Sequence, residues 1–552
     1  MNAEASGAEG AFSLEALLRR PEQLARLPPC QAGCPGGADI RGWIGLVAQR
    51  DKLGLTLDEA CRRAFAIVAE KNPFPATMGR ICPHPCERGC NRGEKDGGVA
   101  VNALERFLGD WALRHGVGLE RLGGGDPARS VGVVGAGPAG LSCAYQLARR
   151  DYRVVIYERS ERAGGMLLHG VPEFRLPESV LAAEIDRILR LGVDLVLNCP
   201  VDDLDTLREL RRTHDALFLG LGAQRGRALG VPGEEGPDVL AGVDFLRAVN
   251  EDRAPDLGRR VAVVGGGNTA IDAARAARRL GCQVDLLYRR TRLEMPAADA
   301  EIEEALEEGV RLELLVAPLA VVRDGAGRVR ELRLQRMRLG EPDASGRRRP
   351  EPLPGEELAL SVDAVLAAVS QEVDWAGLDD LPAERGFLRA GEGGVLAEDL
   401  WTGGDAVGLG TAALAIAQGR MAAEALDARF RGVAPPAAER RPPIAAAEVK
   451  LDLFAPRERV AVPLRPVAER LAAPDAEVAP TLGETEFVAE AARCLSCGSC
   501  FGCQQCAMYC NPGGYTRLEE VAPGAYFALD LGACEGCGKC IEVCPCGFLA
   551  LR

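Results

Sequence analysis

Beginning at Ser130 the chain runs through an apolar stretch, a glycine turn, a helix and a second apolar stretch: VGVVGAGPAG, a helix through Arg150, then YRVVIYE. The same order returns as VAVVGGGNTA, a helix through Leu280, and QVDLLYRR. Short apolar runs closed by glycine suit strands buried on both faces, and helices between them make the pairing parallel. Two such βαβ units predict two Rossmann-like α/β nucleotide-binding domains. Upstream, the amphipathic run from Leu57 to Glu70 lies among Cys, Pro and Gly, which predicts a small α-helical domain tied together by metal. The Gly-rich stretch 119–127 reads as a linker, 341–356 as a charged, solvated hairpin insertion, and the Ala/Pro/Arg-rich 431–480 as a linker running across the surface. The last 60 residues hold too few apolar side chains for a core without metal.

Composition adds the chemistry. Of 552 residues, 80 are Asp or Glu and 66 Lys or Arg, a net charge of −14 that argues against a nucleic-acid partner. No run of about 18 apolar residues predicts a membrane span. The first residues, MNAEASGAEGAF, do not read as a secretory signal, so a cytoplasmic location is expected. Twenty cysteines in that setting read as metal ligands rather than disulfides. Six precede residue 91, eleven follow residue 493, and only Cys143, Cys199 and Cys282 lie between. This is the layout of a central enzyme with metal modules at both ends.

In the first βαβ unit, Gly135 allows the tight turn, Gly137 lets the backbone approach a pyrophosphate, and Gly140 packs helix on strand. Pro138 and Ala139 open the helix whose N-terminus would hold the phosphates. Glu158, followed by Arg159, ends the second strand 23 residues after Gly135, where a carboxylate can take ribose hydroxyls. In the second unit Gly265 and Gly267, with Asn268 and Thr269, repeat the turn. The position matching Glu158 is Tyr288, followed by Arg289 and Arg290. Loss of the acid and gain of guanidinium groups favours NADP(H) and leaves NAD(H) open. Two further motifs, GGML with Gly165, Met166 and Leu167, and GGDA with Gly404 and Asp405 before a helix near Thr411 and Ala412, suit a flavin. That helix start can face the flavin edge that becomes negative on reduction.

The cysteines fall into runs. Cys500, Cys503, Cys506 and Cys510 read C-x2-C-x2-C-x3-C, and Cys534, Cys537, Cys540 and Cys544 repeat it. This spacing resembles bacterial two-cluster ferredoxins, which implies one [4Fe–4S] on Cys500, Cys503, Cys506 and Cys544 and another on Cys534, Cys537, Cys540 and Cys510. Zinc is the competing reading of CxxC pairs.

PPCQAGCPGGADI, GRICPHPCERGCNRG, YERSERAGGMLLHGVPEFRLP and YRRTRLEMPA resemble the glutamate synthase small subunit and dihydropyrimidine dehydrogenase. The resemblance covers roughly residues 25–430. It implies a helical Fe–S domain at 1–118, an FAD domain split between 128–255 and 371–430, and an NAD(P)H domain at 256–370. A linker at 431–492 and an α+β ferredoxin-like domain at 493–552 complete the expected layout. It also implies a cluster on Cys34, Cys82, Cys86 and Glu105, and places Arg175 of the FRLP segment among the cofactor contacts. The family's other cluster uses a CxxC upstream of the residue matching Cys30, and this chain has no cysteine there. Cys494 and Cys497 are the spare pair, so a cluster on Cys30, Cys90, Cys494 and Cys497 is expected, against the alternative that Cys30 and Cys90 stay free. Cys61, Cys143, Cys199, Cys282 and Cys546 are left as ordinary small residues. His169 reads as a packing or cofactor-contact residue.

The expected function is an NAD(P)H-linked FAD and iron–sulfur oxidoreductase with up to four clusters. It would exchange electrons with ferredoxin or a partner catalytic subunit such as that of a 2-oxoacid oxidoreductase. The alternatives are a subunit of a glutamate synthase-like or sulfite reductase-linked complex, or a non-catalytic wiring or redox-sensing subunit.

Overall fold

Five buried residues, Ser130–Val134, form the centre of a six-stranded sheet. Arg153–Tyr157 and Ala216–Leu219 pair with it in parallel on either side. Asp194–Val196 extends one edge. On the other, Leu400–Thr402 returns from far along the chain to pair with Ala216–Leu219, and Val395–Ala397 adds an antiparallel edge strand. Helix Ala412–Arg431 then packs on helix Pro138–Ala148, with Gly419 so close to the Ala139 carbonyl that a Cβ could not fit. The returning strand and helix close this sheet and its core. The structure, a computed structural model, describes residues 20–344, 346–375, 377, 378, 380–435 and 442–551.

A second sheet is parallel throughout, in the order Arg311–Leu314, Gln283–Tyr288, Arg260–Val264, Ala364–Ala367 and Val239–Ala241. The edge strand Val239–Ala241 and helix Gly242–Asn250 belong here, so this domain starts before residue 256, earlier than its sequence boundary suggests. A three-stranded antiparallel sheet, Val316–Arg323, Val329–Pro342 and Arg348–Ser361, covers it. The long hairpin predicted at 341–356 is the end of this sheet.

The N-terminal helices have a real apolar core. Trp43 of helix Ile40–Ala48, Phe65 of helix Leu57–Ala69, and Leu104, Phe107 and Trp111 of helix Val101–Arg114 are all buried. Helices Pro75–Ile81 and Val101–Arg114 cross where Gly79 and Gly109 let the backbones touch. This apolar core packs the helices in addition to the metal expected from the sequence.

Nor does the described part of 431–492 simply cross the surface. Ile444 N donates to Leu27 O at 3.0 Å, and helix Glu484–Ala491 inserts Phe487 into the N-terminal core. Arg493, buried, donates to the carbonyls of Asp96 and Gly97 and to Glu490. The cysteine-rich end carries the hairpin Tyr515–Ala522 with Ala525–Leu529 and two short helices, Gln505–Met508 and Lys539–Glu542. Its small core is largely Cys540, Cys544 and Cys546 with Phe548 and Leu549. Its last strand, Leu549–Leu551, pairs antiparallel with Pro21–Gln23, so the two ends of the described chain share a ribbon. Among the described residues, no helix is long and apolar enough to cross a membrane.

Candidate functional site

At the C-terminal edge of the first sheet a cleft is lined by Gly135, Gly137, Pro138 and Ala139, by Glu158 and Arg159, by Gly165 and Met166, and by Gly404 and Asp405. Gly135 has φ +96°, and a Cβ there would stand 2.5 Å from Gly220 O. A Cβ on Gly165 would lie 2.8 Å from the Gly137 Cα, so the two glycine turns face each other across a gap only bare backbone leaves open. Gly140 lies on the helix flank, where a Cβ would strike the Gly135 carbonyl. Helix Pro138–Ala148 begins with no side-chain cap, leaving its N-terminal N–H groups for an anion. Glu158 is 5% exposed and accepts from Ala136 N at 2.7 Å and Ser160 N at 2.8 Å, which holds its carboxylate at the end of its strand. A carboxylate offers about four acceptor positions, so these bonds leave room for ribose hydroxyls. The donor set and the bare cradle fit a flavin dinucleotide.

Four expected contacts fall elsewhere. Leu167 packs in the core beneath the cleft. Thr411 caps helix Ala412–Arg431, its hydroxyl accepting from Leu414 N at 3.3 Å, and Ala412 is the first residue of that helix. Arg175 is buried and bound to Asp272, at 2.6 and 2.8 Å, and to Glu301, so it joins the two nucleotide domains rather than lining the cleft. Conversely, Cys199, Gln224 and the turn Gly220–Gly222 line the cleft and were not singled out by the sequence. Cys199, which the sequence presents as an ordinary small residue, is thus part of the cleft wall. The sequence signal for this turn is the GLG that follows an apolar run, FLGLG. His169 is buried, with Nδ1 3.5 Å from Glu251 Oε1 and no hydrogen bond to either ring nitrogen; burial lowers its pKa.

A second cleft opens at the matching edge of the other sheet. Gly265, Gly267, Asn268, Thr269, Arg289 and Arg290 line it, and helix Asn268–Arg279 again starts uncapped. Asp405 borders both clefts, which therefore meet. Asp405 accepts from Gly410 N at 3.0 Å, and burial pushes its carboxyl up.

The cysteines gather in four groups. Cys82 and Cys86 lie within electrostatic reach of Cys34 and Glu105. Burial drives the Cys82 thiol up to about 12 and the Glu105 carboxyl to about 7, and Asn72 Nδ2 donates to Glu105 at 2.8 Å. Cys30 is in reach of Cys90, Cys494 and Cys497, with Cys86 beyond. Burial raises Cys30 and takes Cys494 to about 11 and Cys497 to about 12. Cys500, Cys503, Cys506 and Cys544 form the third group. Cys534, Cys537 and Cys540 form the fourth, and Tyr515 lies within electrostatic reach of both Cys540 and Cys510. Cys546 stands with its sulfur 3.9 Å from that of Cys544, while Cys61, Cys143 and Cys282 are buried in apolar cores.

Buried thiols with raised pKa need a compensating positive charge to become ligands. Among the described residues no three His, Cys, Asp or Glu side chains converge tightly enough for a single metal ion. Wider groups of four suit a cubane, in which each ligand meets a different iron.

Residues 129–419 match the family described as pyridine nucleotide-disulphide oxidoreductase, and residues 24–117 match dihydropyrimidine dehydrogenase domain II, 4Fe-4S cluster. The chain is 37% identical over 543 residues to the NADP(+)-dependent formate dehydrogenase subunit beta of Moorella thermoacetica, covering 90% of this chain and 74% of that protein. It is 39% identical to the NADPH-Fe(3+) oxidoreductase subunit beta of Geobacter sulfurreducens, over 66% of this chain and only 54% of that one. It is 32% identical to the glutamate synthase [NADPH] small chain of Escherichia coli, over 72% of this chain and 88% of that one. With its two meeting clefts and its cysteine groups, the chain belongs to the pyridine nucleotide-disulphide oxidoreductase family, as an oxidoreductase that uses FAD and NAD(P) and carries a 4Fe–4S domain.

Proposed function

We propose that this protein moves electrons between NADPH and a partner redox protein, through FAD and four [4Fe–4S] clusters, in the reducing cytoplasm. The observation that carries the reading is Asp405, shared by both clefts, because hydride transfer requires the nicotinamide to reach the flavin. When bound, FAD accepts a hydride and releases single electrons, which matches a two-electron donor to one-electron clusters. The chain's own part is positioning. Glu158 and the helix start at Pro138 fix the adenosine and pyrophosphate, the Asn268 helix start fixes the nicotinamide nucleotide, and the Gly404–Gly410 loop closes the shared floor.

The cluster ligand sets follow the four groups. Cys34, Cys82, Cys86 and Glu105 lie nearest the Cys30, Cys90, Cys494 and Cys497 group, because Cys30 and Cys86 are within reach of each other. Cys497 is three residues from Cys500, and the two C-terminal groups exchange their fourth cysteines, Cys510 and Cys544. That order makes a single file of clusters ending in a ferredoxin-like C-terminal domain. Cys537 is the exposed cysteine at its far end. The named relatives are subunits, of an NADP(+)-dependent formate dehydrogenase and an NADPH-Fe(3+) oxidoreductase, and a small chain of glutamate synthase. A partner catalytic subunit, or ferredoxin itself, is the proposed acceptor or donor.

An anaerobic titration of iron-replete protein with NADPH and, separately, NADH tests the reading by absorbance and EPR. Bleaching of flavin and cluster bands by NADPH supports it. Flavin that stays oxidised with both nucleotides overturns it.

A further inference from the structure

The second cleft is richer in arginine than its strand-end motif implies, and its arginines do different jobs. Tyr288, standing where an acid would take a 2′-hydroxyl, is tied down: its hydroxyl donates to Glu294 O at 2.7 Å. Arg290 is 5% exposed; its Nε donates to Arg348 O at 2.7 Å and its Nη2 to Asp343 at 2.7 Å. Its charge is already matched by a carboxylate, so its task is to anchor the hairpin tip. That tip is a closed turn. Asp343 N donates to Arg347 O at 2.8 Å, Gly346 N donates to Asp343 O at 2.9 Å, and Gly346 has φ +78°. The anchored turn sets Arg347, half-buried, on the wall of the cleft shared with Gly267, Asn268 and Arg289.

We propose that Arg347, carried in by this hairpin, forms with Arg289 the clamp that reads the 2′-phosphate of the nicotinamide nucleotide. This rests on the NADPH reading above and sharpens it. Arg289 follows strand Gln283–Tyr288, and Arg347 lies in the turn between two strands of a different sheet, so the dianion would be gripped from two sides. Guanidinium groups suit this role because they bind phosphate oxygens in pairs. A 2′-hydroxyl offers nothing for the second arginine to hold, so the hairpin acts as the selector between phosphorylated and unphosphorylated nucleotides.

The test is calorimetric binding of adenosine 2′,5′-bisphosphate and of 5′-AMP to the FAD-loaded full chain and to Arg347→Ala and Arg347→Lys. Wild type is expected to prefer the bisphosphate by at least tenfold. Arg347→Ala is expected to lose most of that preference while binding 5′-AMP within twofold of wild type, and Arg347→Lys to keep part of it. The 5′-AMP arm shows that the cleft is still folded. If wild type shows no preference, the NADPH reading fails. If wild type prefers the bisphosphate and Arg347→Ala prefers it equally, the clamp is overturned and the cofactor reading stands.

Discussion

Phe107 and Phe487 stack with their ring centroids 3.9 Å apart and their planes 19° from parallel, although they come from opposite parts of the chain. Both are buried, so the late helix Glu484–Ala491 is part of the core of the N-terminal domain. Phe487→Ala would leave a cavity and is expected to cost about 3–5 kcal/mol. The urea midpoint of the transition that unfolds the N-terminal helices should fall, while a probe in the second nucleotide domain should not move. Simultaneous shifts of both would show that the units unfold as one.

The proposed cluster on Cys30, Cys90, Cys494 and Cys497 makes Cys30 and Cys497 partners, consistent with the neighbours they share. Cys30→Ser and Cys497→Ser should each remove about four irons per chain, and the double variant should lose no more than either single one. Cys282→Ser, in the core of the second domain, is the control and should leave iron unchanged. Losses that add would assign the two thiols to separate clusters.

Glu184 is buried on helix Glu178–Leu189 and accepts from Ala76 N at 2.8 Å and Thr77 N at 2.9 Å, capping helix Pro75–Ile81 from outside. Burial, above all, pushes its carboxyl up to about 7. A carboxyl raised on folding binds its proton more tightly in the native state. Its contribution is therefore complete below the ordinary carboxylate value and lost as pH rises through about 7. The shift corresponds to roughly 3 kcal/mol across that window. Urea midpoints at pH 5.5, 7 and 8.5, conditions chosen to bracket it, should decline for wild type and decline less for Glu184→Gln. Parallel slopes would remove Glu184 as their source.

Arg175 faces Asp272 and Glu301 at the junction of the two nucleotide domains, and all three are largely buried. Removing one partner of a buried pair costs about 3–5 kcal/mol, because the remaining charge stays uncompensated. Arg175→Ala should lower the thermal midpoint by several degrees, and Arg175→Ala with Asp272→Asn should recover part of the loss. FAD content should stay at the wild-type level in both, since Arg175 lies away from the flavin cleft. Loss of FAD in proportion to the destabilisation would return Arg175 to the cofactor site.

Local chemistry made much of this site readable. Gly135, Gly137 and Glu158 lie within one βαβ unit, and their spacing alone predicts a cleft that the structure forms. The regular cysteine runs are legible for the same reason. Arg175 misleads because its partners, Asp272 and Glu301, lie in another domain, and no local pattern announces a pairing at that distance. Arg347 was hidden differently. It lies in a charged turn that reads as solvent-facing, and only the anchoring of Asp343 to buried Arg290 turns it toward the nucleotide cleft. The inward turn of the late helix escaped because EFVAEAA is too short to reveal which core it joins.

The ribbon between Pro21–Gln23 and Leu549–Leu551 also sets a timetable for synthesis. At about 5–20 residues per second, a ribosome needs on the order of 25–100 s to deliver the second strand after the first. During that interval the N-terminal helices lack Phe487, and Cys30 and Cys90 stand without Cys494 and Cys497. A chain released before Cys497 cannot complete that thiol group, and one released before Leu549 cannot close the ribbon, so both ends of the described chain wait on late synthesis.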